Sequence, residues 1–134
     1  MANRLTLRLV TPTHPVLEVD CDEVRAPGVQ GNFGVRPGHE PFLTTLDSGP
    51  LHFFDEGRDD AYAVVGGFVE IRDDEVTVLA DEAVHVEKID PEHELAALEE
   101  ARKRLCEVQE GLVQHRMESA RVRRHAARLA TVRL

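Results

Sequence analysis

Up to about residue 88, apolar positions recur at every second residue. Leu5, Leu7 and Leu9 alternate with Thr6, Arg8 and Val10, which gives a strand one buried face, and Pro12 and Pro15 close it. The stretches LEVDC, EVRAP, FGV, FLTTL, LHFF, AYAVVGGFVEI and EVTVLADEAVHVEKI follow, punctuated by Gly and Pro. Breaks at roughly eight- to twelve-residue intervals predict short antiparallel strands in a sandwich or barrel. Two polar stretches, Glu56-Gly57-Arg58-Asp59-Asp60 and Arg72-Asp73-Asp74-Glu75, suit hairpin loops. Gly66-Gly67 inside a strand run predicts a bulge or a close backbone approach. It lacks both the GxxxxGK[ST] pattern and the following helix that would cradle phosphate.

After Ile89 the period changes to that of a helix. Asp90 is a natural N-cap, Pro91 fits the first helical position, and Glu92 and Glu94 lie where the helix dipole favours acid. Leu95, Leu98, Ala101, Leu105 and Val108 predict a narrow apolar stripe. Gly111 breaks this helix, and a second one runs through Leu112, Met117, Ala120, Ala127 and Leu129. Two antiparallel helices, each about 20 residues and roughly 30 Å long, are expected. The boundary falls near residue 88: a β body over 1–88 and a helical hairpin over 89–134.

Composition narrows the class of function. A chain of 134 residues suits one ordinary domain with a small appendage. Its formal charge of -9 argues against general affinity for nucleic acid or anionic lipid. Aromatics at 4%, with no Trp, leave few platforms for stacking bases. The average hides an asymmetry. Residues 1–88 hold 7 Lys and Arg against 17 Asp and Glu, whereas residues 112–134 hold 6 Arg against the single Glu118. Cys21 and Cys106 are far apart and form no CxxC pair, so two buried or half-buried thiols in a reducing compartment are expected. The opening MANRLTLRLV lacks a signal peptide's apolar core, and no stretch nears the roughly 20 apolar residues of a membrane span. A soluble, cytoplasmic protein is the expectation.

Candidate chemistry is sparse. His39 and Glu40 stand between Pro37-Gly38 and Pro41, but sequence neighbours on extended backbone point to opposite faces and do not form a base with its orienting carboxylate. Seven His show neither HxH nor HExxH spacing, and the acidic loops lack the calcium pattern, so no metal site is predicted. There is no GxSxG, and neither Cys has a His at a recognisable spacing, so no catalytic residue is assigned. Arg116, Arg121, Arg123, Arg124 and Arg128 give the second helix a basic face. That face reads as solvated surface, a nucleic-acid helix, or a surface for an acidic partner or a nucleotide phosphate.

In order and spacing these motifs resemble the epsilon subunit family of the bacterial F-type ATP synthase. The resemblance rests on LVTPTHPVLEVDCDEVRAPGVQGNFGVRPGHEPFLTTLDSG, then GGFVEI and VTVLAD, then an Ile-Asp pair opening a two-helix tail, and it covers nearly the whole chain. It implies a β-sandwich of about ten strands followed by an antiparallel two-helix hairpin. The implied role is that of a non-catalytic central-stalk subunit, without cofactor, that couples proton flow to ATP synthesis on the cytoplasmic face of the bacterial inner membrane. The implied partners are the gamma subunit, through Thr11, His39 and Thr44, and the c ring, through Gln30, Gly31, Asn32 and Phe33. Family members often carry Glu where Asn32 stands, so a neutral contact is expected there. The resemblance also implies a tail that extends towards the alpha and beta subunits and brakes hydrolysis, bringing the five arginines to acidic partners.

Some members bind ATP through I/L-D-x-x-R-A. Here Ile89-Asp90-Pro91-Glu92-His93-Glu94 keeps Asp90 as a possible weak ATP contact, but replaces the Arg and Ala. Rival readings are a free-standing nucleotide-sensing module of the same fold, a hydrolase with a deep pocket, and a nucleic-acid binder with steep salt dependence.

Overall fold

Two strands much longer than their neighbours organise the molecule. The computed structural model describes residues 4–132; residues 1–3 and 133–134, the outer ends of the two expected segments, lie outside the described residues. In chain order the strands are β1 (Leu5–Val10), β2 (Pro15–Cys21), β3 (Glu23–Gly28), β4 (Gly31–Val35), β5 (Phe42–Thr45), β6 (Gly49–Asp55), β7 (Arg58–Arg72) and β8 (Glu75–His85). A 3-10 turn at Val86–Lys88 leads to α1 (Pro91–Glu107) and α2 (Val113–Val132). The hydrogen-bonded order is β2-β1-β8-β7-β6-β3-β4, with β5 also pairing β7.

The first half of β7 pairs β6 from Arg58 to Val64, and its second half pairs β5 from Phe68 to Ile71. The β7–β8 ladder is interrupted at Gly66 while its register is kept, with Val65 opposite Glu82 and Gly67 opposite Ala80. Gly66 and Gly67 have φ of 58° and 110°, and a Cβ on Gly67 would lie 1.8 Å from the Leu79 carbonyl oxygen. Close backbone approach, and not an inserted residue, is therefore what the glycines permit. Eight continuous strands result; the expected count of about ten is reached when the two halves of β7 and of β8 are taken separately.

One pairing departs from the antiparallel expectation. β1 lies parallel to β8, from Thr6 opposite Glu75 to Val10 opposite Leu79. Both hairpin loops form as expected, with Glu56 and Gly57 at φ 52° and 81°, and Asp73 and Asp74 at 51° and 60°. Positive φ at both central residues matches the twist of the flanking strands.

The core follows the period-two pattern. Leu5, Leu7, Leu9, Val24, Val35, Leu51, Val64, Val69, Val76 and Val78 are fully buried. Each such side chain stabilises the fold by roughly 1.5–3 kcal/mol relative to an exposed one. Cys21 joins this core, and burial pushes its thiol up to about 11. Cys106 on α1 is exposed, contrary to the expectation of two buried or half-buried thiols.

The hairpin is built differently. Asp90 caps α1 by accepting from the backbone N–H of Glu92 at 3.1 Å, and Gly111 at φ 92° makes the break. The apolar stripe, however, is rotated from its predicted position. Leu98 and Ala101 are buried, but Leu95 is 42% exposed, and Glu94 takes the inward place. On α2, Ala127, Leu129, Thr131 and Glu118 are buried, while Leu112 and Met117 are exposed. α2 lies across the outer face of β6 and β7. Ala61 and Ala63 alternate with the inward Tyr62 and Val64, yet are 5% and 2% exposed because the helix covers them. Small side chains there let the helix sit close to the sheet.

Candidate functional site

Three regions of surface carry features that the packing of the chain does not use up. The first is the outer face of β5, β7 and β8. Directly paired residues share a face, so Val69 and Val78 both point inward, whereas Phe68 and its partner Leu79 point outward. Leu43, Phe68 and Leu79 are 66%, 54% and 50% exposed. Phe68 and Leu79 border a hollow of about 300 Å³ together with Val10, Thr11 and Pro12. Thr11 therefore lies beside this apolar strip. Its hydroxyl donates to the His14 carbonyl at 3.1 Å and is engaged within the β1–β2 turn. Thr44 is opposite the core residue Val69, so it faces inward, and its neighbours Leu43 and Thr45 take the outer face.

The second region is one end of the sandwich. Only Gln30 of the four residues Gln30 to Phe33 lies in the turn; Gly31, with φ 124°, Asn32 and Phe33 begin β4. Phe33 meets Phe42 edge-on at 5.7 Å between ring centroids, and the His39 ring lies 6.2 Å from Phe42. His39 thus groups with Phe33 and not with Thr11. Its Nδ1–H donates to the Glu40 backbone carbonyl at 2.7 Å, so the ring is fixed by backbone and not by the Glu40 carboxylate. The turn displaying it closes with His39 N–H donating to the Arg36 carbonyl at 3.2 Å, around Pro37 and Gly38 at φ 88°. Gly38 N–H donates to Asp74 at 2.7 Å and ties this turn to the β7–β8 loop.

Beside it, Arg36 and Arg25 donate to the two oxygens of Glu23 at 2.7 and 2.9 Å. The hydrogen bond from Arg36 is the main reason the Glu23 carboxyl sits below its ordinary range.

The third region joins the hairpin to the sheet. Arg124 Nε donates to Glu82 on β8 at 2.9 Å, and Arg128 reaches both Glu94 at 3.2 Å and Glu82 at 3.7 Å. His125 Nδ1 meets the other oxygen of Glu94 at 2.5 Å. Arg121 bonds Glu118 on its own helix at 2.8 Å, while Arg116 and Arg123 are exposed. The five arginines are therefore not one free basic face. At the linker, His85 Nδ1 accepts from Glu87 N–H at 3.1 Å, which leaves Nε2–H to donate to Asp60 at 2.7 Å.

Sequence reasoning missed Glu82, Glu94 and His125, whose partners lie far along the chain, and Glu118, whose burial depends on how the helices pack. Phe68 and Leu79 did carry a signal. In GGFVEI and VTVLAD, the parity that sends Val69, Ile71 and Val78 inward sends these two outward.

A sandwich whose last strand leads into a docked helical hairpin, with apolar strips on its outer surface, has the build of a subunit made to be packed against. The chain belongs to the ATP synthase delta/epsilon family, since the pattern described as "ATP synthase, Delta/Epsilon chain, beta-sandwich domain" matches residues 4–86. It is 53% identical over 125 residues to the ATP synthase epsilon chain of Anaeromyxobacter sp. (strain K), covering 93% of this chain and 95% of that one. To the ATP synthase epsilon chain of Myxococcus xanthus it is 44% identical over 126 residues, 94% of this chain and 93% of the other. Among solved structures, a chain of the Euglena gracilis mitochondrial ATP synthase superposes with a TM-score of 0.81 at 28% identity, covering 92% of this chain and 78% of that chain. Among the described residues, no helix is long and apolar enough to cross a membrane.

Proposed function

We propose that the chain is a non-catalytic rotor subunit of a proton-translocating F-type ATP synthase, linking the gamma subunit to the c ring. It would work peripherally, on the cytoplasmic face of the bacterial inner membrane and only through that complex. The observation that carries this reading is the exposed strip Leu43, Phe68 and Leu79, apolar surface standing on a rigid sheet of an otherwise highly charged chain. The Euglena relative comes from an assembly described as OSCP/F1/c-ring, which gives such a strip a natural occupant. Gamma covers the strip, with Thr11 at its edge and Thr44 supporting it from within. His39, Gln30, Gly31, Asn32 and Phe33 crown the end of the sandwich that meets the c ring, so His39 stands at the margin between the two partners. Co-purification with gamma tests this: Phe68→Glu abolishes capture, and undiminished capture overturns the assignment.

The hairpin beyond residue 88 acts as a conformational brake on ATP hydrolysis. It buries little apolar surface, and its contacts to the sheet include the exchangeable ion pairs of Arg124 and Arg128 with Glu82. In the extended state those arginines, with Arg116, Arg121 and Arg123, meet acidic surfaces of the alpha and beta subunits. Comparing hydrolysis by the reconstituted catalytic complex with the full chain and with a form ending at Lys88 decides it, and equal rates reject the brake.

No tight ATP site is proposed on the hairpin. Arg128 and His125 are already paired with Glu94, and Asp90 is engaged in capping α1. Isothermal titration showing micromolar affinity would overturn this.

A further inference from the structure

Two glutamates are buried between α1 and α2, and their surroundings treat them in opposite ways. Glu94, 4% exposed, has both carboxylate oxygens engaged, one by His125 and one by Arg128. Both partners stand on the other helix, and Arg128 continues to Glu82 on β8. Every one of these contacts breaks when the hairpin opens. Glu118, 8% exposed, has one oxygen bonded to Arg121. Its other oxygen, Oε2, is buried without a hydrogen-bond partner among the described residues.

The unpaired oxygen destabilises the closed state. A buried carboxylate that loses its hydration without a full set of donors raises the free energy of the form that buries it. Moving seven residues along each helix from the Glu94–His125 contact brings Glu118 level with Ala101, a buried position whose methyl offers no donor. Arg121 does not offset this across the interface. It lies one turn further along the same helix and is 38% exposed, so its bond to Glu118 persists whether α2 is docked or free. Opening the hairpin therefore hydrates Glu118 and sacrifices nothing that Glu118 holds.

We infer that the two buried glutamates form a matched pair of controls on hairpin opening, with Glu94 as the latch and Glu118 as the release element. The inference rests on the mobility of the hairpin proposed above, but not on what the extended hairpin does to hydrolysis. Removing the two carboxylates must then have opposite signs. Glu118→Leu fills the buried site with an apolar side chain of similar helix propensity and leaves Arg121 in water. Glu94→Leu leaves His125, 14% exposed, without its acid, and leaves Arg128, 21% exposed, with only its 3.7 Å contact to Glu82.

Amide hydrogen exchange in the full chain at neutral pH tests the pair. Peptides from α1 and α2 exchange about tenfold more slowly in Glu118→Leu and at least about tenfold faster in Glu94→Leu, with sandwich peptides unchanged in both. Complete loss of hairpin protection in Glu94→Leu counts as the latch result. Unchanged or faster exchange in Glu118→Leu overturns the release element. Exchange does not read ATP hydrolysis, so the brake can fail in the truncation assay while this pair stands. Slowed exchange in Glu118→Leu with unaltered hydrolysis would discard the brake and support the pair.

Discussion

The sandwich and the hairpin solve the burial problem in opposite ways. The sandwich closes around fully buried aliphatic side chains, Leu5, Leu7, Leu9 and Leu51 among them, whose contacts are non-directional and numerous. The hairpin buries Leu98, Ala101, Ala127 and Leu129 together with Glu94, Glu118 and Thr131. Its closed form depends on a few directional bonds that water can replace. One chain thus carries a body held by aliphatic packing beside an appendage that joins a small apolar contact to ion pairs, and the proposed release concerns only the second.

The comparison is broken most directly at Gly67. A Cβ there would collide with the Leu79 backbone at a φ of 110°, so Gly67→Ala destabilises the sandwich by on the order of 4 kcal/mol or more. Urea unfolding followed by circular dichroism checks it, and a midpoint within experimental error of the parent would disprove the close-approach account. Next comes a paired truncation. Leu7→Ala lowers sandwich stability by about 2–5 kcal/mol, while Leu98→Ala leaves the exchange of sandwich amides untouched and raises that of α1. Equal spread of both effects through the molecule would show a single cooperative unit. A smaller change is Asp90→Ala, which removes the α1 cap and costs about 1 kcal/mol, read as faster exchange over Glu92 to Leu95.

A pH series gives a weaker effect. Arg36 and then Arg25 hold Glu23 below its ordinary range, so the unfolded chain binds this proton more tightly than the folded one. The stability it contributes is therefore present above the ordinary carboxylate range and fades as pH falls through the lowered folded value. With Arg25 and Arg36 60% and 78% exposed, the contribution is modest. Glu23→Gln flattens the acid limb of the urea midpoint; an unchanged slope would deny the carboxylate any part in it. The smallest perturbation uses the two thiols. Cys106 in the hairpin reacts with a disulfide reagent in the native state, while Cys21, buried and pushed up to about 11, reacts only on unfolding. Two equivalents titrating together in the native state would contradict the burial.

Much of the fold was legible because the physics that makes it is local. Alternation in β1 buries Leu5, Leu7 and Leu9, paired φ-positive residues close the hairpins, and Asp90-Pro91 starts a helix. What the sequence concealed is non-local. Hydrophobicity turns Leu95 inward, whereas the structure turns Glu94 inward, since His125 and Arg128, 31 and 34 residues away, supply the charge it needs. The parallel pairing of β1 with β8 is set by contacts about 69 residues apart, and period two is blind to strand direction. For the site, the parity of GGFVEI and VTVLAD held an outward signal for Phe68 and Leu79 that the resemblance passed over, and the pairing of Thr44 with Val69 turns Thr44 inward, where resemblance alone had set it on the partner face.

The unbroken run of β7 and β8 past the close approach at Gly66 and Gly67 has a mechanical side. Because β7 and β8 each run unbroken through both halves of the sandwich, the two halves are joined by covalent backbone as well as by side-chain contact. A sideways load applied at the Leu43–Phe68–Leu79 strip travels along those strands to the Ala61–Ala63 bed under α2 as tension in the chain. Strands loaded along their length share the force over a whole row of hydrogen bonds, so the body resists shear as one piece. In the proposed rotor role, torque would cross the molecule with little twist lost in the middle, while the hairpin lying on that bed answers to its own chemistry.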